Sequence, residues 1–478
     1  MAFTSPSFIL LALVFVLLTN AFPWAGSRSA VLAAASLLFI VSYLQSPLEA
    51  LPLGVFLLFG YVSIELLRRT GSRALLVGSL LVLLSAFIVL KRYSFLTPAV
   101  RLPFPYLAVG LSYVLFRLIH LMVDAQQGEL RERIPALQFS NYCLSFLSFT
   151  AGPIQPYPEF AEQQQAAVAL SRADVGKSLA RVVRGYVKVG VASAILNYAF
   201  VALSGRLLAP EVVGVSQTFA LLLASSALYT GYLYANFAGY MDIVIGVGGL
   251  AGQRLPENFN QPFAARSFLD FWSRWHMTLS SWFKTYLFNP LLKALAKRYP
   301  SGRVAPYLAA IAFFVTFLVM GLWHGTTSVF VVYGLLLGAG VSINQGWQVF
   351  AARRWGKKQY KQASEQPLLV YLSRGLTFAY FALALGCLWL NLSELVALAR
   401  RLGVVGVLAC YATLALGAAL AFAAWDALGT IARRLTSRLP PFLPAELVQD
   451  VALAAQILLV LSVGSFFHKA PEFVYRAF

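Results

Sequence analysis

Residues 304–323 read VAPYLAAIAFFVTFLVMGLW, a run without one charged side chain. A helix of about 20 residues rises about 30 Å, the thickness of a bilayer's hydrocarbon core. In that solvent every main-chain N–H and C=O has to bond within its own segment, which for a single run means an α-helix. Ala74–Leu90 and Val451–Phe467 read the same way. Across the chain 59% of the 478 residues are hydrophobic and 12% charged, with a mean hydropathy of +0.73. That is too little charge to cover a soluble domain of this length. The expected fold class is all-α and polytopic.

Working outward, apolar runs fall at 8–22, 29–44, 51–67, 73–90, 104–123, 183–204, 212–233, 304–323, 327–348, 367–390, 404–425 and 448–467, which predicts 11–12 transmembrane helices. Phe8–Leu18 reads as a span that stays in the protein. No basic residue precedes Arg28, and no small-residue cleavage site follows the run. Pro/Gly stretches punctuate loops but none is long enough for a linker, so residues 1–478 are expected to form one membrane domain. Cys143, Cys387 and Cys410 are odd in number and lie in apolar segments, as small buried hydrophobes do.

The net charge of +19 fits cytoplasmic loops facing anionic lipid better than a nucleic-acid partner. Loop 253–303 holds eight cations (Arg254, Arg266, Arg274, Lys284, Lys293, Lys297, Arg298, Arg303) against two acids. Loop 349–366 adds Arg353, Arg354, Lys357, Lys358 and Lys361, and 426–446 adds Arg433, Arg434 and Arg438. All three are predicted to be cytoplasmic, in a multi-pass protein of the inner membrane. Parity then requires 236–251, with Gly239, Gly246, Gly248, Gly249 and Asp242, to enter and leave on one side. The segment 139–156, ending in Ala151-Gly152-Pro153-Ile154, looks similar. Two re-entrant pieces around an internal cavity are expected.

Histidine is the side chain whose ordinary pKa suits proton transfer at neutral pH, and there are four. His120 lies one helical turn from Asp124, on the same face, and His468 ends the last span. His276 sits among Phe268, Phe271, Trp272, Trp275, Leu279, Trp282, Phe283 and Tyr286, which recur at helical spacing. Asp270, Ser273, Arg274, Ser281 and Lys284 fall opposite, predicting an amphipathic helix over 268–287 at the interface or packed into a cytoplasmic cavity. On this reading His276 projects at the stripe's edge near Trp272. His324 follows the quoted run, between Gly321 and Gly325, where a small backbone lets a ligand approach closely. The sequence has no G-x-S-x-G, C-x-x-C, H-E-x-x-H or phosphate-loop motif, and no metal centre is expected.

The run Phe271-Trp272-Ser273-Arg274-Trp275-His276-Met277-Thr278-Leu279-Ser280-Ser281-Trp282-Phe283, followed by Gly321-Leu322-Trp323-His324-Gly325, resembles the membrane-bound O-acyltransferases. The bacterial branch with the alginate O-acetyltransferase and the D-alanyl teichoic-acid transferase is the most similar. Ala151-Gly152-Pro153-Ile154, Tyr240-Met241-Asp242-Ile243-Val244-Ile245-Gly246 and Leu255-Pro256-Glu257-Asn258-Phe259-Asn260-Gln261-Pro262 agree in order and separation, within a core of about 103–346. By this resemblance His324 matches the family's central catalytic histidine and His276 its second. The alginate enzymes usually read Asp-Phe-Ser-Gly-Tyr-Ser-Asp where this chain has Asn236-Phe237-Ala238-Gly239-Tyr240-Met241-Asp242. The lost acid and serines leave the reaction class intact and put alginate as the substrate in doubt.

The resemblance implies acyl transfer, acetyl above all, from a cytoplasmic thioester to a hydroxyl of an exported cell-surface polysaccharide. Acetyl-CoA or an acylated carrier protein would be co-substrate, with no bound cofactor. The acceptor would be the polymer itself or an intermediate acceptor protein, with membrane or periplasmic partner proteins. Asn258, Trp275 and Thr326 are candidate donors to the oxyanion, and Trp323, Trp272 and Asp242 candidate cavity residues. D-alanyl transfer to a teichoic-acid-like polymer is the alternative enzyme. A polymer transporter would show repeat symmetry and several buried acid–base pairs, and a non-catalytic scaffold would depend on neither histidine.

Overall fold

The computed structural model describes residues 2–100, 102–165, 170–209, 214–302, 304–436 and 445–466. Arg101, Arg303, Arg438, Phe467 and His468 lie outside the described residues. All regular elements among those described are helical, apart from one isolated antiparallel bridge between Phe259 and Trp275. Among the described residues, eight helices are long and apolar enough to cross a bilayer: Pro47–Thr70, Arg73–Leu90, Arg172–Leu207, Val215–Leu250, Ala305–His324, Val329–Trp355, Pro367–Leu388 and Leu392–Leu435. Pro6–Ala21, Ala25–Val41 and Val448–Gly464 are apolar but shorter. The chain is an all-α polytopic membrane protein.

Some of the apolar runs expected to be separate spans or re-entrant pieces take a different form, for local reasons. The apolar run at 104–123 has Pro103 just before it and Pro105 at its second position, and its helix, Leu111–Gln127, begins only after Gly110 at φ +79°. The predicted span 212–233 and re-entrant piece 236–251 are one 36-residue helix, Val215–Leu250. Its glycines do not break it. A Cβ on Gly239 would lie 2.8 Å from the Gly185 carbonyl oxygen, and one on Gly185 would lie 2.7 Å from that of Gly239. These glycines let two helices touch backbone to backbone, which offsets the roughly 1 kcal/mol that a mid-helix glycine costs.

The other predicted re-entrant piece does leave helical geometry. Ala136–Leu144 stops at Leu144, and buried irregular chain follows. Its carbonyls are met by Arg117, a guanidinium 1% exposed, which donates to Cys143 O and Ser148 O (both 2.8 Å) and to Ser148 Oγ (2.7 Å). Main-chain groups buried away from water need such partners.

The chain divides into two compact units. One comprises the described residues up to Gly190 with Asn236–Glu257. In its core Phe15 meets Phe146 edge to face (5.0 Å) and Phe39 lies tilted against Phe146 (6.1 Å). His120 Nε2 lies 2.9 Å from Asp124 Oδ2, on the one face the spacing predicts. Asn20 Nδ2 donates to the Leu250 carbonyl (2.9 Å), tying the first helix to the end of Val215–Leu250.

The other unit comprises Val191–Ala235 and the described residues from Asn258 onward. Its hairpin of Ala305–His324 and Val329–Trp355 closes along a glycine seam. A Cβ on Gly334 would lie 2.6 Å from the Leu318 carbonyl oxygen, and one on Gly338 2.8 Å from that of Phe314. Cys143, Cys387 and Cys410 are all buried free thiols, as expected.

Candidate active site

The aromatic arm is not the continuous helix its periodicity predicts. Helix Phe268–Trp272 stops, His276 takes φ +45° and ψ +52°, and a new helix runs Met277–Phe283. A left-handed non-glycine residue costs about 1–2 kcal/mol and persists only where its surroundings hold it. Here the chain over 258–260 pairs with 274–277. Asn260 N donates to Arg274 O (2.9 Å), Met277 N donates to Asn258 O (3.0 Å), and Phe259 bridges Trp275. That short pairing wins over helix continuation, so helical spacing was the wrong template for this stretch.

The pairing sets the Asn258 side chain against His276. Asn258 Oδ1 accepts from Thr278 N (3.1 Å) and Thr278 Oγ1 (2.9 Å) and lies 3.2 Å from His276 Nδ1. A main-chain N–H can only donate, which fixes the oxygen end of the amide in this position. His276 Nδ1 is then the protonated nitrogen, and Nε2 carries the ring's lone pair. His276 is 1% exposed. Burial, and after it the neighbouring His324, pushes its pKa well below the usual histidine value, so the ring is neutral at pH 7.

The stripe residues are where the periodicity placed them, on the buried side. Phe268, Phe271, Trp272, Trp275, Leu279, Trp282 and Phe283 are buried, while Tyr286 is half-buried. Ser273, Ser281 and Lys284 are exposed. Trp275 stacks on Phe271 (5.6 Å) and meets Phe381 (5.0 Å), and Trp272 meets Phe317 (4.9 Å). The Trp272 indole N–H is buried with no hydrogen-bond partner among the described residues, a donor that a substrate oxygen would satisfy.

His324 is the last residue of its helix, 4% exposed, with its ring 4.8 Å from Trp323 and 5.6 Å from Tyr333. The flanking glycines serve packing and not ligand approach: a Cβ on Gly321 would strike Gly334, and one on Gly325 would strike the Phe330 ring. Thr326 is half-buried next to it in sequence. Asp242 belongs to the other unit, where Lys188 (2.7 Å), Arg181 (3.0 Å) and Arg184 (3.5 Å) surround it. Arg181 also pairs with Glu257. An apolar cavity of about 800 Å³ lies among Phe268, Ile343, Leu376, Tyr380 and Leu408, and neither histidine is among its lining residues. Thr278 and Tyr333 carry no sequence signal that would have marked them; the first depends on a backbone reversal and the second on hairpin register.

Residues 87–364 match the profile of the membrane-bound O-acyltransferase family. The chain belongs to that family. Among its O-acyltransferase relatives, a teichoic acid D-alanyltransferase of Bacillus subtilis is 30% identical over 230 residues, 48% of this chain and 56% of that protein. A probable alginate O-acetylase of Pseudomonas syringae pv. tomato is 30% identical over 257 residues, 52% of this chain and 46% of the other. A teichoic acid D-alanyltransferase of Streptococcus thermophilus is 29% identical over 265 residues, 54% of this chain and 61% of that protein. The chain therefore spans about half the length of the curated relatives it matches.

Proposed function

We propose that this protein moves an acetyl group from a cytoplasmic thioester, acetyl-CoA or an acylated carrier protein, to a hydroxyl of an exported cell-surface polysaccharide. The acceptor is the polymer itself or an intermediate acceptor protein, and the setting is the inner membrane. Family membership supports the reaction class. The observation that carries the mechanism is the histidine pair: His276 is buried, neutral and held as one tautomer, and a charge on His324 opposes a charge on it.

His324 acts as general base. It takes the proton from the acceptor hydroxyl as that oxygen attacks the thioester carbonyl, and the C–S bond breaks as the tetrahedral intermediate collapses. The proton then passes to the leaving thiolate. Such a base is typically worth about 10² to 10⁴ in rate. His276 resists protonation, and a positive charge on His324 adds to that resistance. Asn258, Trp275 and Thr326 were the candidate oxyanion donors. The Asn258 carbonyl oxygen is committed to His276 and Thr278, which gives that residue a positioning role, while its Nδ2 amide remains the group that would donate to an oxyanion. Trp272 Nε1, buried and without a hydrogen-bond partner among the described residues, is a further candidate donor.

A second reading, D-alanyl transfer from a carrier protein, is favoured by the helix Asn289–Arg298. It has no buried residue and presents Lys293, Lys297 and Arg298 to solvent, a face that complements an acidic carrier. Purified protein incubated with radiolabelled acetyl-CoA, and separately with a D-alanyl carrier, decides between them. His324→Ala should abolish transfer from either donor while donor binding and expression persist. Wild-type transfer by a well-expressed His324→Ala protein would overturn the mechanism and revive the transporter and scaffold readings.

A further inference from the structure

The apolar cavity of about 800 Å³ lies wholly within the unit of Val191–Ala235 and the residues from Asn258 onward, and the acyl-transfer reading makes no use of it. Its floor is built in. The Phe268 and Tyr380 rings meet edge to face at 5.2 Å beside Gly340, where a Cβ would strike both, and Tyr380 Oη donates to the Leu336 carbonyl (2.6 Å). A bend supplies another wall. The helix Leu392–Thr436 breaks at Gly403, at φ +65° and ψ +174°, a conformation essentially confined to glycine. Leu395, Leu398 and Leu402 line the cavity from before the break, and Leu408 and Tyr411 from after it.

The space is open along its side: Ile343 is 68% exposed, Leu408 62% and Trp347 49%. On helix Val329–Trp355 its lining runs from Leu336 to Trp347, about 16 Å at the α-helical rise. That is about half of a hydrocarbon core of roughly 30 Å, the depth of one leaflet. Trp347 meets Phe350 (6.0 Å) and Trp355 (5.7 Å), with Arg353 and Arg354 in the same turn. Aromatic rings beside basic residues mark a membrane–water boundary, and the Lys and Arg of 349–366 assign it to the cytoplasmic side. At this end of the cavity Asn344 Oδ1 accepts from Leu269 N (3.3 Å) and Gln348 Nε2 (3.3 Å), which makes Nδ2 the donor end of the amide. An α-helix about 10–12 Å across would need on the order of 1,300 Å³ over that length, more than the cavity holds. A single hydrocarbon chain fits.

We propose that this groove seats one acyl chain of a cytoplasmic-leaflet phospholipid. The chain enters beside Trp347 and runs toward Leu336, and its ester carbonyl accepts from Asn344 Nδ2. Ser226 offers a way to fill the groove without harming the fold. It lines the cavity, is 1% exposed, and its Oγ has no hydrogen-bond partner among the described residues. Ser226→Leu therefore exchanges an unsatisfied hydroxyl for hydrocarbon in the space the lipid chain would take.

The test uses the full chain in phosphatidylcholine nanodiscs doped with phosphatidylcholine that carries a mid-chain diazirine. After irradiation, cross-links are mapped by peptide mass spectrometry. Leu58 (63% exposed) and Leu81 (62%) are as open to lipid as Leu408 and serve as controls for ordinary contact. Wild type should cross-link over residues 343–347 and 376–383 at least 5-fold more than at Leu58 and Leu81. Ser226→Leu should melt at or above the wild-type temperature while that excess falls about 5-fold, with the controls unchanged. Ala399→Trp, at an exposed lining position, should lower it likewise. Equal cross-linking at the groove and the controls, or a full excess in both filled variants, overturns the proposal. Loss of the excess on adding micromolar palmitoyl-CoA also overturns it, assigning the groove to a thioester's chain. The readout involves no turnover, so its failure and that of the acyl-transfer reading are distinguishable.

Discussion

Asn258 Oδ1 and His276 Nδ1 lie 3.2 Å apart, and the same oxygen accepts both donors of Thr278. One amide oxygen thus sets the tautomer of a buried imidazole and pins the turn that presents it. The left-handed backbone at His276 is held by this contact and by the pairing of 258–260 with 274–277.

Asn258→Leu removes the acceptor that the His276 N–H and both Thr278 donors share. Stability should fall by about 1–3 kcal/mol, and transfer by about 10- to 100-fold with donor binding little changed. Asn258→Asp keeps an acceptor of the same shape but adds a negative charge, so it should fold and make His276 easier to protonate. Thermal melts and single-turnover rates read both effects. Wild-type behaviour of Asn258→Leu would remove the positioning role.

Acid should destabilise the protein through His276. Its folded pKa lies well below the unfolded value near 6.5, so at intermediate pH the unfolded chain binds more protons than the native one. The stabilisation is complete above about pH 6.5 and is lost as pH falls toward the folded pKa. His276→Asn, a residue that tolerates the left-handed backbone, should flatten the pH dependence of stability in that window. An unchanged profile would mean another group dominates.

Packing along the hairpin seam should tolerate nothing larger than glycine. Gly334→Val would drive its side chain into the Leu318 carbonyl, which lies 2.6 Å from where a Cβ would sit. Overpacking of this kind costs about 1–3 kcal/mol or more, and here it shifts the helix that ends in His324. Folded yield in mild detergent and transfer rate should fall together. A stable, fully active variant would show the seam to be slack.

Topology is tested by labelling. Cysteines at Lys297 and Lys358, both exposed, should resist an impermeant thiol reagent added to intact cells and react once the membrane is opened. Ready labelling of both from outside would invert the assigned orientation.

Much of this was readable from residues 304–323 and their like, because the bilayer allows few structures for an apolar run. The fold class, the buried cysteines, the His120–Asp124 contact and the arm's buried stripe all follow from periodicity and hydropathy. The failures share one cause. Glycine reads locally as a breaker, yet Gly239, Gly321 and Gly334 are contact surfaces for a second helix that sequence does not display. Likewise the 268–287 stripe has helical period, but a pairing with residues 258–260 bends it at His276. Both are tertiary overrides of a local rule. Asn258 is marked by its motif, but the positioning contact of its carbonyl with His276 depends on the 258–260 pairing that sequence does not display.

The contact between Asn20 and Leu250 bears on biosynthesis. Donor and acceptor are 230 positions apart, and Arg28 reaches Ala251 across 223. At about 5–20 residues per second a ribosome needs roughly 10–45 s to cover that distance. Through that interval the helices Pro6–Ala21 and Ala25–Val41 are already made, while the carbonyls that anchor their connecting turn do not yet exist. Nascent chains stalled before residue 250 should leave this turn open to protease, and chains released past it should close it.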